Sequence, residues 1–293
     1  MQSGQKTKPK MEKKNEIRSA VLQFLANHHV VARAVSCTTG VFTRPIRETN
    51  VVMFHAGRCG STVVGMLLNQ HPQINWIGEI LAKFREKFGD SSWVWKDPET
   101  MIKLRTNIHP YRTLGLEIKR SQIINTNINE SKVIKLLKRI GYEKFIILKR
   151  KNYLRKKMSE IVASKMGKMN VDKRVKTPKV RIPVSMGKWD VHTEFVKNDT
   201  LTDHFERLDK FYKKIEKALK KFELLSLSYE EHVKDDPKKA AEEICKFVNL
   251  ETHEMKIETE KINRKSIKES ISNFGEVENF LEGTKYEWMT KDD

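Results

Sequence analysis

The sequence predicts a three-layer α/β sandwich around a central parallel sheet. Short apolar runs of strand length recur along it, at Val51-Val52-Met53-Phe54, Thr113 to Ile118, Phe145-Ile146-Ile147-Leu148 and Leu224 to Tyr229. Longer segments with apolar residues at helical spacing lie between them, the alternation that builds a parallel sheet covered by helices. The Phe145 to Leu148 run is apolar at every position, as a strand buried on both faces must be.

Taken in order, residues 1–15 are Lys-rich and polar and are expected to form a disordered basic tail, and residues 16–293 to form a single domain. Ile17 to Val35 predicts a short helix packed on that domain. The Val51 to Phe54 strand passes through a tight turn, His55 to Thr62, into a helix over Val63 to Leu68, which ends before His71-Pro72. Glu79 is expected at the mouth of a helix over Ile80 to Phe88, with a loop or short edge at Trp93 to Pro98 and then helix to about Arg105. Further helices are predicted over Glu130 to Ile140, Tyr153 to Lys168, Leu201 to Phe222, Pro237 to Val248 and Glu276 to Leu281. Gly167 to Trp189 has no periodicity and carries Pro178 and Pro183; loops of that length in compact domains are lids or disordered.

Composition narrows the partners. Lys+Arg of 57 against Asp+Glu of 38 gives a formal charge of +19, which calls for an anion somewhere. The basic residues are dispersed and form no zinc-finger, RNP or basic-zipper pattern, so no specific nucleic-acid partner is expected. No apolar run reaches membrane-spanning length and the start is polar, so a cytoplasmic protein is expected; Cys37, Cys59 and Cys245, with no CxxC pair, fit a reducing compartment. His28-His29 lacks a third ligand at suitable spacing, and no metal is expected.

The chemistry is expected in the turn. Gly57 and Gly60 let the backbone bend sharply and approach a ligand, and the N–H groups opening the next helix favour an anion. The loop is P-loop-like without being the nucleotide-triphosphatase version, GxxxxGK[ST]: Gly60 precedes Ser61, and the cation, Arg58, lies two places earlier. By itself the loop fits either an anion cradle or a Gly-containing turn with no ligand. The cations at Lys149-Arg150-Lys151 end a predicted strand, where open α/β sheets gather ligands.

Several segments then coincide with one family. His55-Ala56-Gly57-Arg58-Cys59-Gly60-Ser61-Thr62, followed by His71-Pro72 and Glu79, resembles the phosphosulfate loop of sulfotransferases that use 3′-phosphoadenosine 5′-phosphosulfate (PAPS), especially the bacterial carbohydrate or small-molecule and protein-tyrosine branches. Leu148 to Ser159 is similar to the family's 3′-phosphate motif, while Leu114 to Lys119, Leu227 to Glu231 and Ser272 to Trp288 echo later segments in the same order. The resemblance implies that Gly57, Cys59, Gly60, Ser61 and Thr62 hold the 5′-phosphosulfate and that Arg58 stabilises the leaving group. It implies Glu79 as general base and Arg150 and Ser159 on the 3′-phosphate, with Lys151 a rival to Arg150. Cys59 stands where the family has serine. The expected reaction is in-line sulfuryl transfer from PAPS, without a metal, to a hydroxyl or amine of a carbohydrate or small metabolite. An ATP-dependent phosphotransferase and a non-enzymatic polyanion-binding protein stay open as alternatives.

Overall fold

The computed structural model describes residues 48–81, 97–107, 112–125, 128–166, 181–187, 200–258 and 266–291, with isolated positions between 21 and 38. The expected basic tail, most of the Ile17 to Val35 helix, the Ile80 to Phe88 helix beyond Leu81, Trp93 to Lys96 and much of Gly167 to Trp189 lie outside the described residues.

Five strands form one sheet: β1 (Thr49–His55), β2 (Ile74–Glu79), β3 (Thr113–Lys119), β4 (Lys144–Lys149) and β5 (Glu223–Ser228). Their order is β2-β3-β1-β4-β5, and every pairing is parallel. Around them run α1 (Ser61–Leu68), α2 (Pro98–Thr106), α3 (Arg120–Asn125), α4 (Glu130–Arg139), α5 (Tyr153–Met166), α6 (Leu201–Leu219), α7 (Tyr229–His232), α8 (Lys238–Phe247), α9 (Ile267–Ser270) and α10 (Phe274–Leu281), ending in a 3-10 turn at Glu287–Thr290.

Alternation along β1 explains the three layers. Val52 and Phe54 point into a core shared with α2, α4, α5 and α6, whereas Val51 and Met53 point into a second core shared with α1 and α8. All four are fully buried, each stabilising the fold by about 1.5–3 kcal/mol relative to exposure. Among the described residues, no helix is long and apolar enough to cross a membrane.

Two expectations change. Ile74 to Glu79, where no strand was expected, is an edge strand, β2, so Glu79 closes a strand and is followed by a turn at Ile80 and Leu81. The strand is made by its surroundings. Asn69 at the end of α1 donates to the Trp76 carbonyl at 2.8 Å and accepts from the Trp76 N–H at 2.7 Å. The Trp76 ring packs so closely on Gly115 of β3 that a Cβ there would sit 1.9 Å from it. The second change concerns the predicted long loop. Its residues Ile182 and Val184 are fully buried; Ile182 bridges Ile271, and Val184 exchanges hydrogen bonds with the Asn273 side chain. That part is core, anchored beside α9 and α10.

The chain end is clasped to the same layer. Asp209 of α6 accepts hydrogen bonds from Tyr153 at 2.8 Å, Tyr286 at 2.9 Å and Lys285 at 3.0 Å, and Asn152 donates to the Met289 carbonyl at 3.0 Å.

Candidate functional site

β1 ends at His55, and after a five-residue turn the chain is helical from Ser61. Gly57, Arg58 and Gly60 all take left-handed backbone, at φ of 79°, 53° and 83°. Conformation demands glycine at both Gly57 and Gly60, and at Gly60 space does too: a Cβ there would lie 2.5 Å from Val233 Cγ1, whereas one on Gly57 would meet, at 2.7 Å, only the flexible end of Lys119. Gly60 caps α1 without any side-chain cap, and the first turn holds no acidic residue. The first bond of the helix runs from Val64 to the Gly60 carbonyl, so the N–H groups of Ser61, Thr62 and Val63 precede it at the positive end of the helix. That arrangement suits an anion.

The residues expected at the site fall into three groups. Arg58, Ser159 and Arg150 are brought into contact. Arg58 Nε donates to Ser159 Oγ at 2.9 Å, and Arg150 Nη1 donates to the Arg58 carbonyl at 3.1 Å. Arg150 lies over the Tyr229 ring at 4.3 Å, and its Nε is buried with no hydrogen-bond partner among the described residues. Burial pulls both guanidinium pKa values down, against the opposing pull of Glu160 on Arg58 and of Tyr229 and Glu230 on Arg150. Arginine has the margin to stay charged, so the site holds two desolvated cations beside an uncapped helix end.

The loop residues Cys59, Ser61 and Thr62 differ among themselves. The Cys59 side chain is fully buried in the second core, which leaves its backbone as its contribution to the loop. Ser61 is buried and its hydroxyl bonds to Glu117, whereas Thr62 is exposed. Lys151 separates from its neighbour: it is half-exposed and paired with Glu231 at 2.5 Å. Arg150 is thus the cation of that pair that faces the loop. His71 shapes the turn, accepting from the Gln73 N–H and contacting the Glu251 carbonyl, both at 3.1 Å.

Glu79 stands apart from the loop, two strands from β1 at the same carboxyl edge, or about 10 Å across the sheet. Between them the structure adds groups that the motifs did not identify. Lys119, the last residue of β3, lays its side chain against Gly57, and Gln122 accepts from the Lys119 N–H at 3.2 Å while donating to Glu79 Oε2 at 3.3 Å. A lysine closing a predicted strand was the available signal for the first; nothing in the sequence marks Gln122. Tyr212 of α6 is a further addition. His55 and Leu148 form the last pair of β1 and β4, and in the next rung the Tyr212 hydroxyl accepts from the Ala56 N–H at 3.1 Å and donates to the Leu148 carbonyl at 3.4 Å. The surroundings are basic: Lys156 and Lys157 are buried beside Glu160, and burial together with Lys156, Lys157 and Arg120 pushes His204 down to about 2, which keeps it neutral.

Two solved structures align with this chain. One is a sulfotransferase from Alicyclobacillus acidocaldarius, 14% identical with a TM-score of 0.45, over 84% of this chain and 96% of that one. The other is mouse sulfotransferase SULT7A1 complexed with PAP, 14% identical with a TM-score of 0.34, over 89% and 80% respectively. No protein-family model and no curated protein matches the chain. Likenesses at this level carry no argument about activity, which rests on the chain's own residues.

Proposed function

We propose that this protein is a sulfotransferase that moves a sulfuryl group from PAPS to a hydroxyl or amine of a carbohydrate or small-metabolite acceptor. The observation that carries the reading is the meeting of Arg58, Ser159 and Arg150 at an uncapped helix N-terminus, although 101 and 92 residues separate Arg58 from its two partners. A molecule with phosphate at both ends of an adenosine needs two cation-lined anion sites side by side. The orphaned Arg150 Nε and the left-handed glycines of the loop suit such a ligand.

When bound, PAPS supplies an activated sulfuryl group with a bisphosphate nucleotide as leaving group. The protein's share is positioning and charge stabilisation, the main tasks in in-line transfer of this kind. Arg58, Lys119 and the N–H groups opening α1 offset negative charge growing on the phosphate side. Arg150 and Ser159 grip the far phosphate and fix the direction of the donor. Glu79, oriented by Gln122, removes the acceptor's proton, a contribution of about 10²- to 10⁴-fold. The gap between Glu79 and the loop is where the acceptor's nucleophile and the sulfuryl group would lie.

Thermal shift with adenosine 3′,5′-bisphosphate and with ATP, each with and without EDTA, tests the reading. The bisphosphate is expected to stabilise the protein without a metal, and Arg58→Ala to abolish most of the shift and sulfuryl transfer. Stabilisation by ATP with magnesium alone would instead identify a phosphotransferase. Equal, steeply salt-dependent binding of nucleotides with and without a 3′-phosphate would identify a polyanion binder.

A further inference from the structure

Beneath the loop lies a buried pair that the proposed chemistry does not use. His55 and Glu117 are 0% and 3% exposed, and His55 Nε2 lies 3.2 Å from Glu117 Oε2. Above the pair, the Gly57 N–H donates to His55 Nδ1 at 3.0 Å. Below it, Glu117 Oε1 accepts from Trp76 Nε1 at 2.7 Å, and the Ser61 hydroxyl bonds to the same carboxylate. Burial, the largest influence on Glu117, opposes its charge, but His55, Trp76 and Ser61 together outweigh it and lower its pKa. One buried carboxylate therefore joins β2, β3, the end of β1 and the first residue of α1.

The ring's proton can be placed. Burial, the largest single influence on His55, disfavours a charge, but Cys59 and Glu117 together outweigh it and raise its pKa to about 10, which taken alone would put a proton on both nitrogens. The Gly57 N–H decides, because a proton on Nδ1 would set two donors face to face at 3.0 Å. Nδ1 presents a lone pair, and Nε2 carries the proton, 3.2 Å from Glu117 Oε2 in a charge contact without hydrogen-bond alignment.

We infer that His55, held in this tautomer by the Gly57 N–H beside the Glu117 carboxylate, is a positioning residue for the donor loop. Its lone pair fixes the Gly57 peptide at the point where the chain enters left-handed backbone, and so sets where Arg58 and the N–H groups of α1 are aimed. Trp76 extends the same control to β2, the strand that ends in Glu79. A side chain chosen only to fill the space would need neither the lone pair nor the buried carboxylate.

The inference rests on the loop's being the PAPS cradle, and its test separates the two. In His55→Ala, affinity for adenosine 3′,5′-bisphosphate and sulfuryl-transfer kcat are expected to fall about 10- to 100-fold. Asparagine can place its carbonyl oxygen where Nδ1 stood, so His55→Asn is expected to recover bisphosphate affinity to within a few-fold of wild type. His55→Gln, whose carbonyl reaches past that point, is not. Equal losses in all three variants would reduce His55 to a space-filling role and overturn the inference. Nitrogen-15 NMR of labelled histidine supplies a readout independent of activity: at neutral pH His55 should show an unprotonated Nδ1, and a doubly protonated ring overturns the assignment even if His55→Ala fails to fold. Wild-type protein that binds no bisphosphate would defeat the proposed function, while the NMR result would still decide the loop contact.

Discussion

Arg150 and Lys151 are neighbours in sequence and opposite in use. Both are cations at the end of β4, and the order of residues alone left the 3′-phosphate contact open between them. Their surroundings, supplied from far along the chain, favour Arg150 under the proposed function: Tyr229 provides the ring beneath it, and Glu231 pairs with Lys151. A planar, forked guanidinium can stack and bond at once, whereas an ammonium cannot. Arg150→Lys is therefore expected to weaken adenosine 3′,5′-bisphosphate binding about tenfold by calorimetry despite the retained charge. Lys151→Ala should leave affinity within about twofold, because its exposed pair with Glu231 is of the kind worth little; the reverse ranking would assign the phosphate to Lys151.

At the scale of elements, β1, β3, β4 and β5 were legible and the edge strand β2 was not. Val51 to Phe54 and Phe145 to Leu148 declare themselves because both faces are buried, so every position is apolar. Ile74 to Glu79 contains Asn75, Gly78 and Glu79, and it is a strand because Asn69 clamps Trp76 and Trp76 fills the space above Gly115. Such tertiary causes leave no periodic trace. Asn69→Ala removes an acceptor and a donor from the Trp76 backbone and is expected to lower unfolding free energy by about 1–3 kcal/mol, read from urea denaturation. A change below about 0.5 kcal/mol would show that β2 holds without the clamp. For the same reason the loop from His55 to Thr62 was legible, as a glycine-containing motif contiguous in sequence, whereas Lys119, Gln122 and Tyr212 converge on it only through folding.

At the scale of the whole molecule, Lys285, Tyr286 and Met289 are tied back to α5 and α6, and Asp209 is the centre of that clasp. Partial burial raises its pKa, but hydrogen bonds from Lys285, Tyr153 and Tyr286 outweigh this, and the net shift is downward. A carboxyl with a lowered folded-state pKa contributes stability above its unfolded pKa and loses it as pH falls through the folded value. The stability difference between wild type and Asp209→Asn should thus be largest at neutral pH and shrink through the acid range in pH-dependent denaturation; a constant difference would deny the clasp its charge. A different consequence follows from Tyr212. Its hydroxyl occupies the first rung beyond the paired part of β1 and β4, satisfying an amide on one side and a carbonyl on the other. The two strands are already parted there, so under the proposed function no ladder bond between them has to break to admit the donor. Association then becomes a matter of encounter more than of rearrangement, with the cations around the cleft drawing anions in and dissolved salt slowing their approach.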